Sequence, residues 1–362
     1  MKIPFFSVAR TVERYRAELD TALAKLDSSA LVDGPLTDVL ERRLEQYTGA
    51  ACCVAVGSAT DALALVLRAT GVGPGDEVIV PAYTFFATAS TVVHVGATPV
   101  IVDVDPDSYA IDPRQVEAAI TPRTRAIMPA HMFSQMARMQ ELCEIADRHR
   151  LMMIEDSAEA IGMRFGGRHA GLWGRVGVLS FFPTKTLGAF GDAGAVITDD
   201  AELADRVRRL ARDDGSGWAS SCDDLAAAVL GFRLGHLDEE ITVRAALAER
   251  YSTMLAGLSP VRTPRPPTDH DPVWYVYLIE CDQRDDLVRH LAERGVETEV
   301  YYPRPLTEQP CFDATNSVRH PVPVSARASG RALALPLHAD LTEPEVDLVC
   351  AHIREFYGGR DA

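Results

Sequence analysis

Short apolar segments alternate with segments of helical periodicity along most of the chain. The successive pairs are CCVAV with TDALALVLRAT, DEVIVP with FFATASTVVHVG, TPVIVDVD with PRQVEAAI, and TRAIMPAH with ARMQELCEIADRHR. A fifth apolar segment, LMMIEDS, leads into a turn-rich stretch. Strands that are apolar on both faces are typical of a parallel sheet covered by helices. The pattern therefore predicts an α/β domain with a mostly parallel central sheet.

The pattern changes after GAVITDD. The helical segment AELADRVRRLARDD comes first, then a long helical stretch from about Asp223 to Leu258, then the proline-rich PVRTPRPPTDH. Beyond that break, a smaller α+β unit is predicted by VWYVYLIEC, RDDLVRHLAERG, VETEVYY and EPEVDLVCAHIREFY. We therefore expect two domains. Residues 1–258 form an N-terminal arm, the large domain and a long interdomain helix, and residues 259–362 form the small C-terminal domain.

The composition excludes several classes of function. The chain has 362 residues, of which 47% are hydrophobic, so it can bury a large core, and its formal net charge is −16. Nucleic acid and anionic membranes repel so acidic a chain, and neither is expected as a partner. The seven cysteines show no paired spacing, and neither a signal peptide nor a spanning apolar segment is evident. A cytoplasmic enzyme with reduced thiols is therefore expected.

Lysine is rare in this chain, which makes one lysine unusual. Lysine and arginine together number 36, yet the only lysines are Lys2, Lys25 and Lys185. Lys185 follows the apolar segment SFFPT and precedes a glycine-containing turn. One interpretation is a strand-end lysine that extends its amine into water. The other is a nucleophile, because a lysine can lose its proton and form a Schiff base, whereas arginine stays charged.

Candidate ligand-binding residues lie where strands end and helices begin, which is where open α/β sheets bind ligands. The stretch GSAT, residues 57–60, is either a plain helix cap or an anion site suited to a phosphate. Tyr83 and Phe85 follow the next strand and offer aromatic faces to a planar ligand. Asp156 ends a buried apolar strand, with Glu159 one turn further on. A carboxylate in that position is costly to desolvate without a cationic partner.

These features together are the ones that pyridoxal phosphate requires of a protein. A lysine forms a Schiff base with the aldehyde, and a carboxylate keeps the ring nitrogen protonated. An aromatic residue covers the ring, and the N-terminus of a helix anchors the phosphate. The sequence therefore predicts a pyridoxal 5′-phosphate enzyme with Lys185 and Asp156 as its catalytic residues.

Nearly the whole chain also resembles the DegT/DnrJ/StrS family of sugar aminotransferases. The segments that carry the resemblance are LVDGPLTDVLERRLEQYTGA, GVGPGDEVIVPAYTFFATAS, GATPVIVDVDPDSYAIDP, ITPRTRAIMPAHMFSQ, IEDSAEAIG, SFFPTKTLGAFGDAGAVITDD and ALALPLHADLT. The resemblance implies the three-layer α/β/α fold of type I pyridoxal phosphate-dependent transferases, the aspartate aminotransferase fold type. It also implies a homodimer in which each active site is built from two chains.

Carried over residue by residue, the resemblance implies a role for each residue of the cofactor site. Lys185 forms the Schiff base, and Asp156 contacts the pyridine nitrogen. Phe85 stacks on the ring, and Glu159 lies near its phenolic oxygen. The phosphate is held by Ser58, Ala59, Thr60 and Ser180. Contacts to the substrate are expected from Tyr83, Phe182, Tyr301 and Trp218.

Two segments depart from the family pattern. Where the family has a segment like GxNSRLDELQAA, this chain reads SGWASSCDDLAAA, and Ala219 replaces the asparagine that reaches the phosphate of the partner subunit. Ser221 replaces the arginine, Asp214 stands where a histidine is usual, and Thr307 replaces a histidine in YYPRPLTEQP. Ser220 and Ser221 are the candidates to replace the lost donor. We expect a homodimer that binds its cofactor more loosely than its relatives do.

The function predicted from these observations is transfer of an amino group from an amino acid, with L-glutamate preferred, to a nucleotide-linked keto-deoxysugar. The best single candidate is a dTDP-4-keto-6-deoxyhexose, in amino-sugar, antibiotic or surface-glycan biosynthesis. A keto-inositol is an alternative substrate. A dehydratase of the same fold and a non-catalytic regulatory relative are alternative functions. The dehydratases resemble this family with histidine in place of the lysine, so Lys185 disfavours that alternative.

Overall fold

A computed structural model describes residues 2–26, 30–212, 217–268, 270–313 and 315–358. The α-helices are α1 (Val8–Arg14), α2 (Arg16–Leu23), α3 (Pro35–Thr48), α4 (Ala59–Ala69), α5 (Ala87–His94), α6 (Pro113–Ala119), α7 (Met139–His149), α8 (Ala201–Ala211), α9 (Asp224–Arg233), α10 (Leu237–Leu255), α11 (Arg284–Glu293), α12 (Pro323–Arg331) and α13 (Glu343–Gly358). Within these ranges, no helix has the length and apolar character needed to cross a membrane.

The strands include the five that the apolar segments CCVAV, DEVIVP, TPVIVDVD, TRAIMPAH and LMMIEDS predict, which are β1 to β5. They are β1 (Cys52–Val56), β2 (Glu77–Pro81), β3 (Thr98–Val102), β4 (Thr124–Ile127), β5 (Met152–Asp156), β6 (Arg164–Phe165), β7 (Arg168–His169), β8 (Val176–Ser180), β9 (Gly194–Thr198), β10 (Val261–Arg262), β11 (Tyr277–Cys281), β12 (Val318–Arg319) and β13 (Ala332–Leu335).

The central sheet of the described chain has eight strands in the order β1-β9-β8-β5-β4-β2-β3-β12. In the part of this order that runs β8-β5-β4-β2-β3-β12, each strand is parallel to its neighbours. β9 is antiparallel to both of its neighbours, β1 and β8. Every residue of β2, β8 and β9 is buried, so helices and loops cover both faces of the sheet. The predicted α/β fold with a mostly parallel sheet is confirmed.

The carboxyl edge of this sheet collects the ends of several parallel strands. β1 ends just before Ser58, β5 ends at Asp156, and β8 ends at Ser180. These strands run in the same direction, so their carboxyl ends lie at one edge. Gly194, the first residue of antiparallel β9, pairs with both Val56 and Ser180 and therefore lies at the same edge.

The long helix predicted from about Asp223 to Leu258 is two helices. α9 ends at Arg233, a 3₁₀ turn covers Leu234–His236, and α10 follows. Gly235 lies inside the turn, and glycine has a low helix propensity. Leu234 of the turn and Leu237, the first residue of α10, are both buried in the same apolar core.

The C-terminal part of the chain forms a three-stranded antiparallel sheet, β10-β11-β13, with α11 and α13. VETEVYY, which the sequence predicts as a strand, makes only two isolated bridges, one between Val296 and Ile3 and one between Glu299 and Ala334. α10 packs on α13, and β12 returns to pair with β3 of the central sheet. The chain therefore crosses between the two parts more than once, and the boundary at residue 258 stays a prediction.

Candidate active site

A cavity of about 490 Å³ lies at the carboxyl edge of the central sheet. Its lining includes Ser58, Ala59, Thr60, Phe85, Asp156, Glu159, Ser180, Phe182, Lys185 and Tyr301. Every residue that the sequence assigns to the cofactor therefore meets in one cavity. A larger groove, of about 810 Å³, borders the C-terminal half of α7 at the opposite edge of the sheet and contains none of these residues.

Lys185 lies on a tight turn that follows β8. Its backbone N–H donates to the carbonyl of Phe182 at 2.8 Å. Its Nζ lies 3.3 Å from Glu159 Oε1 and 4.2 Å from the ring centre of Tyr275. The side chain is only 15% exposed. The amine therefore faces the cavity, unlike the solvated strand-end lysine that the sequence left as an alternative.

Asp156 is buried at the end of β5. Its Oδ2 accepts a hydrogen bond from Thr88 Oγ1 at 2.8 Å, and its Oδ1 accepts one from the N–H of Ala158 at 3.3 Å. Removal from water is the largest cause acting on this carboxyl group, and it raises the pKa of Asp156 above its ordinary value. Among the described residues, Asp156 forms no ion pair. The carboxylate thus lacks the cationic partner that its burial requires.

Glu159 is a second buried carboxylate, and its surroundings differ. Its Oε2 accepts a hydrogen bond from the N–H of Phe133 at 2.8 Å, and its Oε1 accepts one from Lys185. Burial raises the pKa of Glu159, and the charge of Lys185 opposes that rise. Glu159 therefore has the cationic partner that Asp156 lacks.

The N-terminus of α4 provides free hydrogen-bond donors beside these carboxylates. Ser58 caps the helix, because its Oγ accepts a hydrogen bond from the N–H of Asp61 at 3.0 Å. Within the described chain, the N–H groups of Ala59 and Thr60 have no acceptor. A Cβ on Gly194 would lie 2.6 Å from the nitrogen of Ala59, so only glycine lets β9 approach this turn. The stretch is therefore both a cap and an anion site.

Three phenylalanines surround the opening of the cavity. Phe85, Phe86 and Phe182 are 48%, 43% and 49% exposed, and the rings of Phe85 and Phe86 lie 4.4 Å apart. Large aromatic side chains are usually buried, so a cluster half open to water marks a surface for a ligand.

Tyr275 and His131 are among the residues of the cavity that the sequence analysis missed. Tyr275 precedes β11, and burial raises its pKa to about 12, so its hydroxyl stays protonated. His131 follows β4, and its Nδ1 accepts a hydrogen bond from the N–H of Ala137 at 3.1 Å. Its Nε2 therefore carries the proton and donates it to Glu155 at 3.0 Å. The strand-end argument used for Asp156 also identifies His131, but no local signal brings Tyr275 to this site.

Two of the predicted substrate contacts, Tyr83 and Trp218, do not line this cavity. Tyr83 is fully buried. Its hydroxyl donates to the carbonyl of Tyr301 and accepts a hydrogen bond from the N–H of Tyr302 at 3.1 Å. Tyr83 therefore holds two residues of the cavity lining in place, Tyr301 and Tyr302, and does not itself line the cavity. Trp218 lies outside the lining of its own chain's cavity and stacks on Arg68, whose guanidinium carbon is 4.6 Å from the ring centre.

Both candidate replacements for the missing asparagine are engaged within their own chain. Ser220 Oγ donates to Asp61 at 2.7 Å and accepts a hydrogen bond from the N–H of Gly57 at 3.2 Å. Ser221 Oγ donates to Asp33 at 2.6 Å. Asp214 lies outside the described residues. Neither serine is thus free to reach a partner subunit in this arrangement.

Comparisons with known proteins extend over almost the whole chain. Residues 13–354 match the model of the DegT/DnrJ/EryC1/StrS aminotransferase family. A dTDP-3-amino-3,4,6-trideoxy-α-D-glucose transaminase from Streptomyces venezuelae is 41% identical, over 98% of this chain and 96% of its own. The crystal structure of S. venezuelae DesV in complex with a ketimine intermediate has a TM-score of 0.94 at 41% identity and covers 98% of each chain. NtdA from Bacillus subtilis with bound cofactor PMP has a TM-score of 0.89 at 31% identity, over 99% of this chain and 85% of that one.

Proposed function

The chain belongs to the DegT/DnrJ/EryC1/StrS aminotransferase family and is a pyridoxal phosphate-dependent sugar aminotransferase, and we propose that it transfers the amino group of L-glutamate to the ketone of a dTDP-linked deoxysugar. The observation that carries the proposal is the convergence of Lys185, Asp156 and the free N–H groups of α4 in one cavity. The lysine also counts against the dehydratase alternative, in which histidine takes its place.

The residues of the cavity fit the cofactor in three respects. The free N–H groups of Ala59 and Thr60 suit a phosphate, and Gly194 leaves room for the turn that presents them. Asp156 is a buried carboxylate without an ion pair among the described residues, so a protonated ring nitrogen of the bound cofactor would supply the positive charge that it lacks. Lys185 provides the amine to which the cofactor attaches.

The bound cofactor supplies a ring that accepts the electron pair left behind when a proton leaves the Cα of the amino donor. Lys185 Nζ takes that proton and later returns it, as a base and then as an acid. Glu159 and the ring of Tyr275 hold Nζ from two sides at 3.3 and 4.2 Å. Asp156 keeps the ring nitrogen protonated, because a carboxylate held in a low dielectric favours a nearby positive charge.

The exposed phenylalanines at the cavity opening suit the sugar nucleotide. Aromatic side chains cover the apolar faces of sugars and stack on planar bases at little entropic cost. A relative with 41% identity is named for a 3-amino sugar linked to dTDP. That name favours a ketone at carbon 3 of a dTDP-linked deoxysugar over the 4-keto-6-deoxyhexose expected from the sequence.

A homodimer is part of the proposal. Four aliphatic side chains of α3, α9 and the segment before them are exposed, namely Leu31 (50%), Val32 (60%), Val39 (42%) and Leu225 (52%). α3 packs on α9, and the backbone of Val32 forms an isolated β-bridge with Asp223, the residue before α9. The four exposed side chains therefore belong to one region of the surface. An apolar region of this kind is typical of an obligate interface.

The cytoplasm is the compartment that we propose. All seven cysteines are free thiols in the structure, and burial raises the pKa of Cys53, Cys222 and Cys350. Thiols that persist unpaired suit a reducing compartment.

The activity is tested with a panel of dTDP-linked 3-keto and 4-keto deoxysugars and a keto-inositol, each with L-glutamate. Formation of 2-oxoglutarate and of the amino sugar is measured. Turnover of a dTDP-linked ketone is expected, and exclusive turnover of the keto-inositol would overturn the proposal. Borohydride reduction and peptide mapping should place the cofactor on Lys185. The Lys25→Ala variant, altered at an exposed lysine, should give the same map.

A further inference from the structure

A second, small cavity of about 30 Å³ adjoins Lys185. Thr184 and Lys185 line both this cavity and the larger one. The rest of its lining comes from Pro183 and Phe190, from the N-terminal segment, from α9 and α10, and from residues 338–340 after β13. The turn that carries Lys185 thus separates two cavities of very different size.

The small cavity is lined by buried polar groups that have no hydrogen-bond partner. Arg233, Arg244 and His338 are 6%, 4% and 4% exposed. The Nε atoms of both arginines and both ring nitrogens of His338 lack a partner among the described residues. Buried polar atoms are nearly always hydrogen-bonded, and leaving one unpaired is costly. The lining therefore offers several donors to a ligand.

The charges around the cavity leave one cation without a carboxylate. Arg233 pairs with Glu240 at 2.9 Å, and Asp340 pairs with Arg14 at 2.8 Å. Arg244 instead donates to backbone carbonyls, those of Leu337 at 2.8 Å, Tyr275 at 3.2 Å and Trp274 at 3.4 Å. Burial lowers the pKa of Arg244 to about 10, which still leaves it charged at neutral pH. An unpaired buried charge is strongly destabilising, so a counter-ion is favoured.

We propose that this cavity binds one small monovalent anion of the size of chloride, held by the N–H groups of Arg233, Arg244 and His338. A cavity of about 30 Å³ has room for one ion of this size. A water molecule would satisfy the hydrogen bonds but not the charge of Arg244. The two carboxylates in the lining, Glu240 and Asp340, are each neutralised by an arginine.

The bound anion is linked to Lys185 through hydrogen bonds that Arg233 makes. Arg233 donates to the carbonyl of Gly188 at 2.6 Å and to that of Thr186 at 3.4 Å. Both carbonyls belong to the turn that follows Lys185. An anion that holds Arg233 therefore also holds this turn, and it acts as a positioning group for the lysine.

The first test is crystallographic. Crystals of the holoenzyme are soaked in sodium bromide, and diffraction is measured at the bromine absorption edge. An anomalous peak within hydrogen-bond distance of the Nε atoms of Arg233 and Arg244 is expected. Density for a water molecule without an anomalous peak would overturn the proposal. Neither result depends on the substrate, so the test is independent of the proposed activity.

The second test measures thermal stability in sodium chloride and in sodium gluconate at equal ionic strength. The wild-type holoenzyme is expected to unfold at a higher temperature in chloride, because the anion binds only the folded state. Arg244→Met should lose this difference. Arg250→Met, on the same helix but paired with Asp347 at the surface, should keep it. If Arg244→Met does not fold, His338→Gln takes its place. An equal chloride response in the cavity variant and the control would contradict the assignment.

Discussion

The active-site cavity has two regions of opposite character. Its floor is formed by the buried Asp156 and Glu159 and by Lys185, whose side chain is 15% exposed, and each of these side chains is hydrogen-bonded. Its rim, formed by Phe85, Phe86 and Phe182, is apolar and about half exposed. The floor keeps charged, reactive side chains away from water, which costs stability. The rim offers a ligand apolar contact area but no hydrogen bonds. Changes in the floor should therefore abolish the reaction, and changes in the rim should alter affinity.

The largest effect is expected at Lys185. Lys185→Ala removes both the attachment point of the cofactor and the base that moves the proton. The transamination rate should fall by at least about four orders of magnitude, with the fold retained. Single-turnover kinetics and circular dichroism measure the two properties. If Lys185→Ala kept a tenth of the wild-type rate, the claim that the floor carries the chemistry and the rim only the affinity would be wrong.

Asp156→Asn should have the next largest effect. The substitution keeps the shape of the side chain and removes the charge that holds the ring nitrogen protonated. The rate of proton transfer from the donor Cα should fall by about 10²–10³, while the cofactor stays attached to Lys185. Isotope exchange at Cα measures the rate, and peptide mapping after reduction measures attachment. Near-wild-type exchange would show that Asp156 has no electrostatic role.

A rim substitution should separate binding from chemistry. Phe182→Ala removes apolar area at the cavity opening, so KM for the sugar nucleotide should rise by about tenfold while kcat changes little. Val318→Ala is the control, since Val318 is an exposed apolar residue outside the cavity lining. A large loss of kcat in Phe182→Ala would mean that the rim also takes part in catalysis.

A smaller effect is expected at Ala219, where the family has a donor from the partner subunit. Ser220 and Ser221 are engaged in their own chain, so neither supplies that donor. Ala219→Asn should slow cofactor release severalfold, because a hydrogen bond to a charged group is restored. Dialysis measures release, and light scattering measures the oligomeric state. A monomeric protein, or unchanged release from the dimer, would contradict this prediction.

The stability cost of the floor should appear in the protein without cofactor. Burial raises the pKa of Asp156, so the folded chain binds this proton more tightly than the unfolded chain. The resulting stabilisation is complete below the unfolded pKa, ~3.9, and is lost as the pH rises through the higher folded value. Asp156→Asn should therefore raise the melting temperature by a few degrees at pH 8 and by less at pH 4, close to the unfolded pKa, where the folded carboxyl group is largely protonated. An equal shift at both pH values would show that the carboxylate carries no such cost.

Local patterns in the sequence were enough to predict the succession of β1 to β5 along the chain and to identify residues of the cavity floor. Apolar segments identified β1, β2, β3, β4 and β5, and residues at the ends of parallel strands share one edge of the sheet. Asp156 could be identified for that reason, and the scarcity of lysine singled out Lys185. The same periodicity could not show the break between α9 and α10, because helical spacing continues on both sides of it.

Only the tertiary structure decided which distant segments meet. Tyr275 and Lys185 are remote in sequence, and their 4.2 Å contact depends on how the C-terminal sheet packs against the carboxyl edge of the central one. The burial of Tyr83 beneath the cavity and the polar cavity around Arg244 depend on the same packing. A sequence pattern reports the periodicity and ends of each element, whereas contacts between elements depend on side chains from several of them fitting together at once.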